Sequence, residues 1–547
     1  MKKREQICII VNGKVIDKGK LMNKHCLNIK LLLIIIIFAV NSSIGKTYYV
    51  APNGSDSNDG TKSNPFKTIA FATGKVAAGD SILLAPGTYS INSTINITKS
   101  GTVDSKIYLL VSENGRALLD CSSLPFSSSN RGINLKANYW YMKGLDIKGA
   151  GDNGMNISGS NNVIEFCTFY ENQDTGLQLG GGASNNRIIN CDSYFNADPS
   201  NGNADGFAPK LDVGTDNYFY GCRAWQNSDD GWDGYLRPSD NVNTIIENCW
   251  SFMNGYLKNR SASSGNGNGF KMGGGDNSNK DSLRNNVTIK NSLCFDNRVK
   301  GYDQNNNYGS MILLNCTAFR NGSLNFAIPG KIRATSEVTV KNCISYISTG
   351  VNLISKTVQT TNSWNLPISV TDKDFLSIDT TGVRGPRKKD GSLPDLKFLR
   401  PSKNSQFIDK GTDVGIAYKG SAPDLGAYEY DEFFTSVIKD ESPTSFILEQ
   451  NYPNPFNPNT VISYKLQAAN HVTLKVYDVI GREVATLVDE FKQPGIYSSQ
   501  FSILNLPAGR KGFQLSSSVY FYRLTAGNPS SGSGRGFVQT RKMLLLK

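Results

Sequence analysis

Histidine is almost missing from this chain: two occur in 547 residues, His25 near the start and His471 near the end. Ser-His-Asp and Cys-His schemes therefore lack a base over the long stretch between them. Charge is sparse as well, at 19% Asp, Glu, Lys and Arg, and no dense Lys/Arg run is interleaved with aromatics, which argues against a nucleic-acid partner. The formal charge of +12 overstates the basicity, because residues 1–45 hold eight basic and two acidic residues, a net +6, leaving the remainder half as basic. That balance is compatible with an acidic polymer as partner without requiring one. No long hydrophobic run marks the leader either. Leu31–Val40 is ten apolar residues, too short to span a membrane. Lys24 and Lys30 precede it and Ser42, Ser43 and Gly45 follow, so it reads as a signal peptide, with Met22 the expected start and a mature chain from about Lys46. Ten cysteines do not make a disulfide framework: Cys8 and Cys26 fall in the leader, and most others occupy one repeating column, as free, buried, small hydrophobes do.

What is present in quantity is a repeat. Six times between Ile164 and Asn321 an apolar residue is followed three later by Cys or Ser, three further by an aromatic, and two further by Asn. The columns are Ile164, Ile188, Phe219, Ile246, Ile289, Leu313; Cys167, Cys191, Cys222, Cys249, Ser292, Cys316; Tyr170, Tyr194, Trp225, Phe252, Phe295, Phe319; and Asn172, Asn196, Asn227, Asn254, Asn297, Asn321, with Val340 and Cys343 opening a seventh copy. Spacings of 24 to 31 residues, with one of 43, are too irregular for helical repeats, and the short β-branched runs predict a right-handed parallel β-helix. Each copy is then one coil, and like residues are expected to stack into interior ladders.

The phase of the repeat locates a site. Most copies run from the Asn into a Gly plus an apolar residue: Gly176-Leu177, Gly206-Phe207, Gly231-Trp232, Gly269-Phe270, Gly301-Tyr302. Asp205 and Asp230 stand one residue before that Gly, Asp229 two before it, and Asp233 and Lys271 two after it. Neighbouring parallel strands lie about 4.8 Å apart and residues two apart share a face, so these five side chains are expected on one patch. From Asn to Gly the count is four at Asn172, Asn227 and Asn297, but ten from Asn196 and fifteen from Asn254. Insertions of this kind map to loops on a binding face, and are read as groove walls.

Oxygen donors without His or Cys call for a hard cation, and four carboxylates favour Ca2+ over zinc or iron, with magnesium less suited. Asx turns that merely satisfy backbone donors are the plainer alternative, weakened by four Asp in register. Beside a divalent ion in a partly dehydrated groove, Lys271 is expected to have a lowered pKa and to serve as a neutral base; a salt bridge to the Asp cluster is its alternative. Together these parts suit proton removal next to a carboxylate, as at C5 of a 4-linked uronic acid.

Along the chain, Tyr48-Tyr-Val-Ala-Pro-Asn-Gly-Ser with Ala78-Gly-Asp-Ser-Ile-Leu-Leu resembles the opening of extracellular β-helix proteins and is expected to cap the solenoid. Weaker coils follow over 95–149 and clear ones over 154–348. Pro423-Asp-Leu-Gly-Ala-Tyr-Glu-Tyr resembles a closing strand. A leader over 1–45, a catalytic β-helix over 46–430 and a linker over 431–445 precede a small β-sandwich over 446–547, an all-β chain throughout. The sandwich is similar to the type A sorting domain of the type IX secretion system, on Asn451-Tyr-Pro-Asn-Pro-Phe-Asn-Pro, Tyr477-Asp-Val-Ile-Gly-Arg-Glu-Val, Val519-Tyr-Phe-Tyr-Arg-Leu and Arg541-Lys-Met, and departs from it at Arg510–Ser518. That resemblance implies a secreted or cell-surface protein exported by type IX machinery; a carbohydrate-binding or spacer sandwich is the alternative.

Asn203-Ala-Asp-Gly-Phe, Asn227-Ser-Asp-Asp-Gly-Trp-Asp-Gly and Asn268-Gly-Phe-Lys-Met-Gly-Gly-Gly resemble polysaccharide lyase family nine, calcium-dependent pectate lyases on a right-handed parallel β-helix. The resemblance implies Asp205, Asp229, Asp230 and Asp233 as calcium ligands, Lys271 as Brønsted base, pectate or polygalacturonate as substrate, and β-elimination to an unsaturated uronide. Lys210, Arg237 and Lys300 lie near in repeat phase and are expected to grip substrate carboxylates. A monomer is expected. A two-Asp β-helix hydrolase and a non-catalytic adhesin are the competing classes.

Overall fold

The computed structural model describes residues 45–112, 115–276, 278–279, 282–432, 445–451, 454–492, 495–503, 515–527 and 536–546. The signal-peptide reading lies outside them, as do most of the expected linker and the larger part of Arg510–Ser518. Three parallel sheets build a right-handed β-helix: one of twelve strands from Thr47–Val50 to Val358–Thr360, a second of ten from Ile95–Ile97 to Gly350–Leu353, and a third of ten from Gly87–Ser90 to Ile344–Tyr346. Coils therefore begin well before the clear repeats. The opening segment supplies the first strand of the twelve-stranded sheet rather than only a cap, followed by a single helical turn at Ile69–Thr73.

The apolar column pairs in register within the first sheet, Ile164 with Ile188, Ile188 with Phe219, Phe219 with Ile246, Ile246 with Ile289 and Ile289 with Leu313. All six are buried in the solenoid interior. At the corner into the third sheet the chain turns on one left-handed residue per coil, such as Asn190, Asn248, Asn291 and Asn315, a conformation Asn tolerates better than most residues. The Cys column follows. Its thiols are free and buried, and each reaches the carbonyl two residues back, as Cys191 does to Ile189 O at 3.3 Å and Cys316 to Leu314 O at 3.3 Å. Ser292 makes the same bond to Lys290 O at 2.9 Å, which accounts for a hydroxyl in that column.

At the next corner the Asn residues form a hydrogen-bonded ladder: Asn172 donates to Asn196 at 2.9 Å, Asn196 to Asn227 at 2.8 Å, Asn227 to Asn254 at 2.9 Å, Asn254 to Asn297 at 3.0 Å and Asn297 to Asn321 at 2.9 Å. Every member is buried. Asn254→Ala strips Asn227 of its acceptor and leaves buried amide groups unpaired, so it should destabilise the helix by roughly 2–4 kcal/mol, at about 1–3 kcal/mol per orphaned group. Denaturant unfolding of the purified variant checks this; a change below about 0.5 kcal/mol would mean that water replaces the rung.

The aromatic column corrects an expectation. It stacks, with centroids 5.2 Å apart for Tyr170 and Tyr194, 4.3 Å for Tyr194 and Trp225, and 4.7 Å for Phe252 and Phe295, but outside the solenoid. In each three-residue strand of the third sheet the middle residue, such as Phe169, Ala224, Cys294 or Ala318, points inward, and strand alternation sends the aromatic outward. The returning segment covers it with Phe375, Val383, Leu393, Phe398, Phe407 and Leu425, held by Arg387 on Asp192 at 2.6 Å. Residues 423–430 belong to this cover and form no strand; Gly426 N donates instead to Asn342 O at 2.7 Å.

Towards the C-terminus, Ile447–Leu448, Asn459–Leu466 and Gly495–Ser502 form one antiparallel sheet, and Glu483–Lys492, Asn470–Tyr477, Ser518–Ala526 and Phe537–Leu545 another. Ile462, Tyr464, Val472, Leu474, Tyr522 and Leu524 fill the core between them.

Candidate active site

The second sheet carries the site, and the Gly of each coil explains why. At Gly231 a Cβ would stand 2.0 Å from Ser251 Oγ and 2.6 Å from Gly269 O, so only Gly lets the turn pass beneath the next coil. The apolar residue after it points inward, Trp232 stacking between Phe207 and Phe270 at 4.9 and 4.8 Å. One residue further the chain faces out. Trp232 pairs with Phe270 and Asp233 with Lys271, which places that carboxylate and that amine side by side on the outer face.

Backbone donors fix the carboxylates. Asp205 Oδ1 accepts from Asp230 N at 3.1 Å, Asp230 Oδ1 from Asn268 N at 2.7 Å, and Asp233 Oδ1 from Tyr235 N at 3.0 Å; Asp229 Oδ1 accepts from Asn266 N. One oxygen each of Asp205, Asp229 and Asp230 lies within 4.8 Å of the others. Asp233 falls outside that trio, between two ammonium groups, Lys271 Nζ at 3.4 Å and Lys210 Nζ at 3.6 Å. Lys271 Nζ also stands 3.2 Å from Asp230 Oδ2, an ion-pair contact too poorly directed for a hydrogen bond, so that buried oxygen accepts none.

Burial pushes the carboxyls of Asp205, Asp229 and Asp230 up to about 7. Burial also opposes charge on Asp233, yet Lys271 and Lys210 bring it below the ordinary carboxylate range. For Lys271 the expected lowering is reversed in the protein alone: burial works against the ammonium, but Asp233, Asp230, Asp229 and Asp205 raise it well above the ordinary lysine value. With all of these groups ionised, four carboxylates face two ammonium ions, leaving the charge of one divalent cation to be balanced. An all-oxygen donor set with one buried unsatisfied carboxylate oxygen fits Ca2+.

Asp229, Asp233, Lys210 and Lys271 line an open cleft of about 550 Å³, with Asp205 and Asp230 fully buried behind them. The two insertions join on one side, Ser264 Oγ donating to Ser200 O at 2.7 Å and Ser264 N to Asn201 O at 3.0 Å, so they make one continuous wall rather than two. Arg237 is on the rim, more than half exposed, paired with Asp276 at 2.9 Å and donating to Tyr235 Oη at 2.8 Å. Two of the expected substrate grips are engaged with carboxylates of the protein itself. Lys210 is buried and bound to Asp205 Oδ2 at 2.7 Å. Lys300 pairs with Asp303 at 2.9 Å and does not line the cleft, because its coil lies beyond that of Lys271. Sequence reasoning missed Asp152, Asp174 and Arg131, which do line it; Asp152 and Asp174 stand two residues before Gly154 and Gly176, as Asp229 does before Gly231, so running the same phase towards the N-terminus would have found them.

Residues 48–352 match the family model described as the Pel9A-like, right handed beta helix region, and residues 450–531 the secretion system C-terminal sorting domain. Pectate lyase L of Dickeya dadantii (strain 3937) is 40% identical over 399 residues, covering 71% of this chain and 91% of that protein. The crystal structure of pectate lyase Pel9A superposes with a TM-score of 0.65 at 39% identity, covering 71% of this chain and 97% of that one. A rhamnogalacturonan lyase is 29% identical at a TM-score of 0.59, covering 66% and 97%. On these matches the chain belongs to the Pel9A-like right-handed β-helix family and is a polysaccharide lyase that carries a C-terminal secretion sorting domain.

Proposed function

We propose that this lyase is a calcium-dependent pectate lyase cleaving 4-linked galacturonan by β-elimination, with Asp205, Asp229, Asp230 and Asp233 as the cation's ligands and Lys271 as the base. The observation that carries the reading is the pairing of Lys271 with Asp233 across adjacent coils at an open cleft, beside three converging carboxylates of which Asp229 lines that cleft. Bound there, Ca2+ supplies a fixed positive charge to the C6 carboxylate of a uronate and to the negative charge that develops when C5–H is removed. Lys271, as a free amine, takes the C5 proton; the electron pair becomes the C4–C5 double bond, the C4–O bond breaks, and the leaving oxygen takes up a proton. Backbone bonds to Asp205, Asp229, Asp230 and Asp233 keep these carboxylates in place without substrate, so little reorganisation is left for the reaction. Arg237, exposed on the cleft rim, would meet a substrate carboxylate in exchange for Asp276. With its sorting domain, the enzyme acts outside the producing cell on an acidic polysaccharide.

A panel of polygalacturonate, methyl-esterified pectin, rhamnogalacturonan and alginate, read by new reducing ends at fixed Ca2+, tests the substrate. Polygalacturonate should be cleaved at least about tenfold faster than the others, the worth of roughly 1.4 kcal/mol for a correctly placed carboxylate. Preference for rhamnogalacturonan would reassign the polymer.

A further inference from the structure

Carboxyl and ammonium groups alternate in a row at the cleft, Asp205, Lys210, Asp233, Lys271, Asp230, with consecutive contacts of 2.7, 3.6, 3.4 and 3.2 Å; Lys210, Asp233 and Lys271 line it and the two end carboxyls are buried behind them. Lys271 has a part in the reaction; Lys210 has had none. We propose that Lys210 is a built-in counter-ion to Asp205 and Asp233 that sets the charge of the site to suit a doubly charged cation. This rests on the calcium reading above.

Three observations carry it. Lys210 is 7% exposed and its ammonium is committed to two ligand carboxylates, with Asp174 as a further anion in the same cleft. Swinging out to grip a substrate would take from buried Asp205 its ammonium partner at 2.7 Å and leave Asp233 with Lys271 as its one ammonium partner, at a cost a weak surface contact does not repay. Its backbone is anchored too, Lys210 N donating to Leu179 O at 3.2 Å just past the strand Phe207–Pro209, one coil before Asp233. A fixed unit of positive charge at this spot reduces the attraction of a triply charged ion more than that of a doubly charged one, in proportion to charge. Lys210 therefore acts on which ion is held, through the carboxylates, and does not touch the reacting atoms.

The test compares Ca2+ with Tb3+, a trivalent, oxygen-preferring ion of similar size, by calorimetric titration of the full chain in wild-type, K210M, K210Q and K210R forms, with thermal melts to establish folding. One unit charge acting over about 5 Å at an effective dielectric of about 20 should raise the Tb3+ to Ca2+ affinity ratio on the order of 10²-fold in K210M and K210Q. K210R keeps the charge, and its ratio should stay within about threefold of wild type. A merely structural lysine would weaken both ions alike and leave the ratio unmoved. An unchanged ratio in a folded neutral variant, or joint loss of both ions, overturns the proposal. A wild-type chain that binds neither ion overturns the calcium reading first, and this inference with it.

Discussion

Lys271→Ala should lower turnover on polygalacturonate by a factor on the order of 10² to 10⁴, the range for a lost general base, while calcium and polymer binding should persist. Binding persists because the ammonium is not a ligand: it stands 3.2 Å from Asp230 and 3.4 Å from Asp233, and its loss leaves the carboxylates with more negative charge for the cation, not less. Lys271→Arg separates charge from basicity. The guanidinium keeps the positive charge but does not deprotonate in proteins, so this variant should be as slow as Ala. Rate should also rise towards alkaline pH, since neighbouring carboxylates hold Lys271 protonated well above the ordinary lysine value and a base acts only after losing its proton. Near-normal turnover in either variant, measured by steady-state kinetics with saturating Ca2+, would remove Lys271 from the reaction.

Asp230→Asn should abolish activity and lower calcium affinity by roughly 10² or more, because on the proposed site it removes a charged ligand from a shared ion, where charge-assisted contacts count about twice neutral ones. Asparagine retains an acceptor for Asn268 N, which now bonds Asp230 Oδ1 at 2.7 Å, so the turn should keep its shape and the loss should be electrostatic. Chelation of wild type has the same effect and readdition of Ca2+ reverses it. A pH dependence follows from the same carboxyls. Asp205, Asp229 and Asp230 are raised to about 7, so below that value protons compete with the ion and apparent affinity falls, whereas above it the ligands are already ionised. Calorimetry at about pH 5 and about pH 8 reads the difference; equal affinity at both, or full activity of Asp230→Asn in chelator, would contradict the site.

Much of this was legible in the residues because a solenoid turns sequence phase into position. Ile188 and Phe219 share a column in the chain and a rung in the first sheet, and Asp233 and Lys271, each two residues past a Gly, are paired neighbours. What phase does not carry is direction. Tyr194 and Trp225 stack as their spacing implies, yet whether a column faces in or out depends on strand alternation within three residues, and on Phe398 and Phe407, which come from far down the chain to cover it. Phase also says nothing of reach. Lys210 and Lys300 both lie near the site in sequence terms, but one side chain is captured by Asp205 and the other by Asp303, because a flexible lysine goes to the nearest unpaired carboxylate. Asp174 was overlooked for a simpler reason: it stands on an earlier coil in the same phase as Asp229, and contributes to the cleft through a carboxyl pushed up to about 6 by burial.

Elimination and hydrolysis differ in one product, and a single ratio separates them. Purified enzyme acting on polygalacturonate with Ca2+ should yield one ultraviolet-absorbing 4,5-unsaturated uronide for each new reducing end, throughout the time course. New reducing ends without unsaturation would contradict the account, for they would require water to attack C1 and break the C1–O bond, rather than the C5–H electron pair to expel the oxygen at C4.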